Sequence, residues 1–174
     1  MGASLSAGQT AFAEKRVALV IGNANYALAP LTNPTNDADD LAVALKRLQF
    51  DVTEKKDLAV HDFDRALDDF IPSGQNADVA LFFFSGHGVQ IDKRGYLAPT
   101  DVNAESESSA LRELVAIQEV VSRIENAAKV SVIILDACRT VRFRSACAAS
   151  RSRRTERWCR LKGCPRFPLW GVTR

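Results

Sequence analysis

Two unbroken apolar runs in this chain each end on a chemically reactive side chain. Leu81–Phe84 is followed by a Ser-Gly-His-Gly sequence that contains His87, and Val132–Leu135 is followed by an Asp-Ala-Cys-Arg sequence that contains Cys138. Continuous apolar runs of this kind are typical of buried parallel strands, whose carboxyl ends meet at one edge of an α/β sheet. That edge would carry both an imidazole and a thiol, the pair that a cysteine nucleophile needs.

The remaining hydrophobic pattern alternates between strands and amphipathic helices. The pattern predicts strands at Arg16–Gly22, Phe50–Glu54, Asp78–Phe84 and Lys129–Leu135, and helices from about Pro34 or Asp37 to Leu48, at His61–Ile71 and at Leu114–Ile124. Between them we expect a loop at 23–36, a small hairpin at 89–98 and a polar loop at 100–109. The order predicts an α/β fold with a mainly parallel, twisted sheet flanked by helices on both faces.

Residues 139–174 differ sharply from the rest of the chain. They hold 11 of the 23 Lys and Arg residues but only 1 of the 21 Asp and Glu residues, together with Cys147, Cys159 and Cys164. They show neither a helical nor a strand period. We therefore expect 140–174 to be an atypical, poorly ordered basic tail that does not continue the sheet. A change of reading frame just after Arg139, or a few residues later, would also produce such a segment.

The first residues of the chain do not determine the cellular compartment of the protein. Ala11-Phe12-Ala13 resembles the small-residue pattern of a leader cleavage site, although residues 1–10 lack a basic region and an adequate apolar stretch. We therefore interpret residues 1–15 as a disordered N-terminus or as the remnant of a leader, which makes the protein cytoplasmic or exported, respectively. No apolar run reaches the ~18 residues of a membrane-spanning helix, so no membrane association is expected.

The motifs at the two strand ends, with three further segments, resemble the large-subunit region of caspase-like cysteine peptidases, particularly bacterial metacaspases and paracaspases. The resemblance covers residues 16–139. It depends on the segments Arg16–Gly22, Asn36–Ala38, Phe83–Gly88, Gly95–Asp101 and Ile134–Arg139. It implies a caspase-haemoglobinase-like three-layer sandwich, incomplete at the C-terminus because such folds continue past the nucleophile with further strands. The implied activity is that of a thiol protease acting on polypeptides.

The expected catalytic residues are Cys138, His87 and Gly88. A thiolate at a strand end can attack a peptide carbonyl at neutral pH, and an imidazole can deprotonate the thiol and protonate the leaving amine. Gly88 lacks a Cβ, so its N–H can approach the substrate, and with the Cys138 N–H it could hold the oxyanion, a placement that the resemblance supports.

Asp37 and Asp136 are the expected substrate-binding residues. In metacaspase-like relatives, acidic residues at these two places line the pocket for the side chain that precedes the cut. Two carboxylates would favour Arg or Lys there through charge-assisted hydrogen bonds. Asp37 could instead only cap its helix.

No cofactor is predicted. The tail cysteines have no nearby His, which makes a zinc site a poor fit, and the Arg clusters lack interleaved aromatic residues, which argues against nucleic acid.

The primary hypothesis is an endopeptidase with a Cys-His dyad that cuts after Arg or Lys. The alternatives are a truncated, inactive caspase-like module for protein–protein interaction and an unrelated doubly wound domain that binds a small ligand. Independently of these hypotheses, the sheet is the surface through which the chain could form homo- or hetero-assemblies.

Overall fold

In the computed structural model of the protein, parallel strands form the centre of a sheet that continues into a small antiparallel extension. The structure describes residues 14–27, 29–102, 107–138 and 169–173. Its elements are β1 (Arg16–Gly22), α1 (Pro34–Arg47), β2 (Asp51–Lys56), α2 (Val60–Gly74), β3 (Ala77–Ile91), β4 (Arg94–Leu97), α3 (Glu107–Glu113), β5 (Val115–Ala116), α4 (Ile117–Glu125), β6 (Ala128–Cys138) and β7 (Leu169–Thr173).

The strand order confirms the predicted fold class. β1 pairs in parallel with β2 and β3, and β3 pairs in parallel with β6 from Ala77 to His87. Beyond the end of β1, β3 pairs antiparallel with β4, which continues to β5. β6 pairs antiparallel with β7. The sheet is therefore mainly parallel, with antiparallel additions at its edges.

Two apolar clusters cover opposite faces of the sheet. Because side chains alternate along a strand, Phe82 and Phe84 lie on one face and pack with residues of α2 and α4, whereas Leu81 and Phe83 lie on the other face with residues of α1. Phe82 and Phe84 are fully buried. Truncating a buried Phe to Ala costs about 3–5 kcal/mol, so these side chains contribute strongly to stability.

The first helix confirms the sequence prediction and fixes one wall of the sheet's carboxyl edge. Pro34 occupies the first turn, where its missing N–H costs no hydrogen bond. Gly22, at the end of β1, lets α1 approach closely, since a Cβ there would lie 2.4 Å from the carbonyl oxygen of Pro34 and 2.9 Å from the Cβ of Ala38. The amino end of α1 is therefore held directly against the end of β1.

Several elements differ from the prediction in length. β3 does not stop at Phe84 but runs to Ile91, because its last four residues pair with β4 across a turn at Asp92 and Lys93, both with positive φ. α4 begins at Ile117 rather than Leu114, because Val115 and Ala116 pair with β4. A helix, α3, also begins within the predicted polar loop.

The C-terminal part of the chain contains one described strand. No strand is predicted for 169–173, yet β7 pairs with Ser131–Leu135 of β6. The expectations for the chain start and for most of the basic tail fall on residues 1–13, 139–168 and 174, which lie outside the described residues. Within the described ranges, no helix is long and apolar enough to cross a membrane.

Candidate active site

His87 and Cys138 are register partners in the parallel pair of β3 and β6. Neighbouring strands in a sheet lie about 4.8 Å apart, and paired residues of parallel strands occupy the same face. The pair that precedes them on this face is Ser85 and Asp136. The face is the one covered by α1, because Phe83 and Ile134 pack with residues of α1. The sheet therefore brings the two predicted reactive residues together at its carboxyl edge.

The imidazole of His87 is oriented by a backbone carbonyl. Its Nε2 lies 2.7 Å from the carbonyl oxygen of Ala29, and the side chain is half-buried. A carbonyl oxygen can only accept a hydrogen bond, so Nε2 carries the proton and donates it. Nδ1 is then the ring nitrogen that can take up a proton. This is the tautomer that a general base needs when its reaction partner lies on the Nδ1 side.

The loop that carries Ala29 is anchored by Asn23, the residue after β1. Asn23 is fully buried. Its Oδ1 accepts a hydrogen bond from the Leu58 N–H at 2.9 Å, and its Nδ2 donates to the carbonyls of Leu58 and Ala98 at 3.3 and 3.4 Å. The start of the loop is thus tied to the segment between β2 and α2 and to the residue after β4.

Asp57 holds the next residues of this loop. Its Oδ1 accepts hydrogen bonds from the Ala24 and Asn25 N–H groups at 2.8 and 2.9 Å, and its Oδ2 accepts one from Asn25 Nδ2 at 2.6 Å. Asp57 has a φ of 53°, a conformation that Asp tolerates better than most residues. Together, Asn23 and Asp57 fix the course of the chain toward Ala29.

Asp37 and Asp136 both lie next to Ser85. The Ser85 hydroxyl donates a hydrogen bond to Asp37 Oδ2 at 3.3 Å, and Asp136 is the register partner of Ser85. Both carboxylates are half-buried. Asn33, not Asp37, occupies the N-cap position of α1. Asp136 therefore lies on the same face as His87 and Cys138, one pair back from the sheet edge, and Asp37 of α1 contacts that face through Ser85.

The backbone of Gly88 faces β6 rather than β4. The Ala98 N–H donates to His87 O at 2.9 Å, one residue away from the register pair of Gly88 and Leu97. Hydrogen bonds across an antiparallel pair occur at alternate residues. The Gly88 N–H consequently points out of the β3–β4 ladder, toward the side of β3 on which Cys138 lies.

A separate cleft of ≈ 600 Å³ borders the opposite face. Its walls include Leu135, Ala137 and Ile117, which belong to the apolar cluster of α2 and α4. Gly88 lines it as well, so the cleft reaches the sheet edge beside His87 from the face opposite the His87 side chain. Among the described residues, no group of three His, Cys, Asp or Glu side chains could hold a metal ion.

Fold and site together define an α/β protein with a histidine and a cysteine paired at the carboxyl edge of its sheet. The profile of the caspase domain matches residues 15–159, which is most of the chain and continues beyond Arg139. The chain therefore belongs to the caspase domain family of cysteine peptidases, which are hydrolases.

Relatives support the same family. Human mucosa-associated lymphoid tissue lymphoma translocation protein 1 is 29% identical over 129 residues, and its mouse homologue is 28% identical over 129 residues. Each alignment covers 73% of this chain but only 15% of the relative, so the chain spans a small part of these longer proteins.

Solved structures show the same fold. The Drosophila initiator caspase Dronc superposes with a TM-score of 0.56 at 12% identity, over 70% of this chain and 55% of Dronc. A Geobacter sulfurreducens protein superposes with a TM-score of 0.55 at 17% identity, over 71% of this chain and 50% of that protein. The fold class and the family expected from the sequence are both confirmed.

Sequence reasoning missed three groups that shape the site: the carbonyl of Ala29, the side chain of Tyr26 and the hydroxyl of Ser85. Ala29 acts through its backbone, so the identity of its side chain does not indicate the contact with His87. Tyr26 and Ser85 lie next to recognised motifs, but only the register and the loop path show which residues they contact.

Proposed function

We propose that this chain carries the catalytic centre of a cysteine endopeptidase, with Cys138 as the nucleophile and His87 as the general base and acid. The observation that carries the proposal is the register pairing of these two residues at the carboxyl edge of the sheet. The hydrogen bond between His87 Nε2 and Ala29 O supports it, since that bond leaves Nδ1 free to accept a proton.

In the proposed reaction, His87 Nδ1 takes the thiol proton and the Cys138 sulfur attacks the carbonyl carbon of the scissile peptide. The tetrahedral intermediate collapses with cleavage of the C–N bond, and His87 transfers its Nδ1 proton to the departing amine. Water then attacks the thioester while giving a proton to His87. Cleavage of the C–S bond releases the acid, and the proton returns to the sulfur.

The developing oxyanion would be held by backbone donors. The Gly88 N–H leaves the β3–β4 ladder on the side of Cys138. With the Cys138 N–H it would form a donor pair that strengthens as negative charge develops on the oxygen. Losing one such donor typically costs about 10²–10³-fold in rate.

A preference for cutting after Arg or Lys belongs to the same proposal. Asp37 and Asp136 flank Ser85 on the face that carries His87. Two half-buried carboxylates attract a guanidinium or ammonium group through charge-assisted hydrogen bonds and reject an acidic side chain by repulsion. This preference is the one implied by the metacaspase-like pattern of these two positions.

The decisive experiment is labelling of the purified chain with an acyloxymethyl ketone probe that carries Arg, next to a matched Asp probe. We expect the Arg probe alone to label the parent, with labelling abolished in Cys138→Ala and strongly reduced in His87→Ala. His61→Ala is the matched control, because His61 is exposed on α2. A folded parent that neither probe labels would contradict the proposal and favour an inactive interaction module.

A further inference from the structure

Tyr26 lies directly against the imidazole of His87. The two ring centroids are 4.4 Å apart, and the planes are tilted by 55°. Tyr26 is only 6% exposed and belongs to the apolar cluster that contains Val89 and Ala98. It precedes Ala29 by three residues in the anchored loop. One short loop therefore supplies both the ring that packs on His87 and the carbonyl that binds its Nε2.

The Tyr26 hydroxyl is inserted into the β3–β4 ladder at His87. The Ala98 N–H donates to His87 O at 2.9 Å, and the reciprocal bond of such a pair would run from the His87 N–H to Ala98 O. Instead, the His87 N–H donates to the Tyr26 hydroxyl at 3.0 Å, and that hydroxyl donates to Ala98 O at 3.0 Å. The hydroxyl thus bridges the two strands at the residue that carries the imidazole.

Two features suit Tyr26 to this bridging position. Burial raises the pKa of Tyr26, so its hydroxyl stays protonated and can donate to Ala98 while accepting from His87. Gly86 leaves the space, because a Cβ at that residue would lie 2.6 Å from the Tyr26 oxygen. Any side chain at residue 86 would push the hydroxyl out of the ladder or displace β3.

We propose that Tyr26 is a positioning residue for His87: its hydroxyl sets the backbone of His87 and its ring sets the imidazole plane, so that Nε2 faces Ala29 and Nδ1 faces the Cys138 side. This inference rests on the proposed function for its catalytic consequence. The geometric part, that Tyr26 holds Nε2 against the Ala29 carbonyl and thereby keeps a single imidazole tautomer, can be measured without turnover.

The chain offers a direct spectroscopic test because it contains only 2 histidines, His61 and His87, and 2 tyrosines, Tyr26 and Tyr96. Long-range ¹H–¹⁵N spectra report the tautomer of each imidazole, and His61→Gln assigns the two signals. In the parent we expect His87 as the Nε2–H tautomer alone, with a Tyr26 hydroxyl proton that exchanges slowly. A mixed tautomer of His87 in the parent would overturn the proposal before any variant is made.

Tyr26→Phe removes only the hydroxyl, and Tyr96→Phe is the matched control. We expect Tyr26→Phe to give a mixed His87 tautomer and to slow labelling of Cys138 by the Arg probe by about 10- to 100-fold at saturation, without loss of probe affinity. Tyr96→Phe should leave both unchanged. If folded Tyr26→Phe keeps the parental tautomer of His87 and the parental labelling rate of Cys138, the proposal is overturned. If the parent is not labelled at all, the endopeptidase proposal fails, whereas the tautomer measurement still decides the role of Tyr26.

Discussion

Cys138 of β6 lies opposite His87 of β3, at the last register position of the parallel pair. Two strands that are distant in sequence thereby place a thiol-bearing residue and an imidazole-bearing residue about one strand spacing apart. The pairing depends on backbone hydrogen bonds between residues 77–87 of β3 and the length of β6, so the relative position of the two residues is fixed by the centre of the sheet.

The first prediction concerns thiol reactivity. Cys138 should react with iodoacetamide at a lower pH in the parent than in His87→Ala, because a neighbouring imidazolium stabilises the thiolate. In the variant, the reactivity midpoint should return to about 8.5, the value of an ordinary thiol. Mass spectrometry of the peptide that contains Cys138 measures the rate at each pH. His61→Ala should keep the parental profile, and coincident profiles for parent and His87→Ala would contradict the pairing.

A second prediction tests the acidic pocket. Asp37→Asn and Asp136→Asn should each lower the rate ratio between an Arg probe and its uncharged citrulline analogue by about tenfold or more, because a hydrogen bond to a charged group contributes about 1.5–3 kcal/mol. Asp40→Asn, on the exposed side of α1, should leave the ratio unchanged. If Asp37 only supported its helix, Asp37→Asn would slow both probes equally.

The sequence predicts the centre of this protein well because its strands are continuous apolar runs. Exposure to water would be unfavourable for the apolar runs Leu81–Phe84 and Val132–Leu135. Their composition therefore predicts burial in a parallel sheet. The motifs that follow these runs then meet at one edge by topology alone. That reasoning correctly predicts the fold class and brings His87 and Cys138 to the same edge.

What the sequence could not predict depends on nonlocal backbone contacts. The extension of β3 to Ile91 requires β4 as a partner, and the bond from His87 to Ala29 requires the path of a loop that has no period of its own. Val115 pairs with β4 although its local sequence favours a helix. In each case tertiary pairing overrides local preference.

A third prediction concerns the buried amide of Asn23. Asn23→Ala should lower the free energy of unfolding by about 1–3 kcal/mol, because the Leu58 N–H and two carbonyls lose their partner inside the protein. Urea unfolding followed by circular dichroism measures the change. Asn25→Ala is the matched control, since Asn25 is exposed and water can replace its bond to Asp57. Equal losses in the two variants would show that the buried amide has no special role.

The last prediction concerns acid stability at the amino edge of the sheet. Asp78 at the start of β3 accepts hydrogen bonds from Lys129 Nζ at 2.7 Å and from the Lys15 N–H at 2.9 Å. The bond from Lys129 lowers the pKa of Asp78 below its ordinary value of 3.8. The carboxylate therefore stabilises the fold fully above that value and loses its effect as the pH falls through the lower folded-state pKa.

Asp78→Asn should reduce Tm by a constant amount from about pH 5 to 8, and the difference should shrink below about pH 4. Asp51→Asn, at an exposed position of β2, controls for the loss of a negative charge. A Tm difference that persists undiminished in strong acid would show that Asp78 acts through shape rather than through its charge.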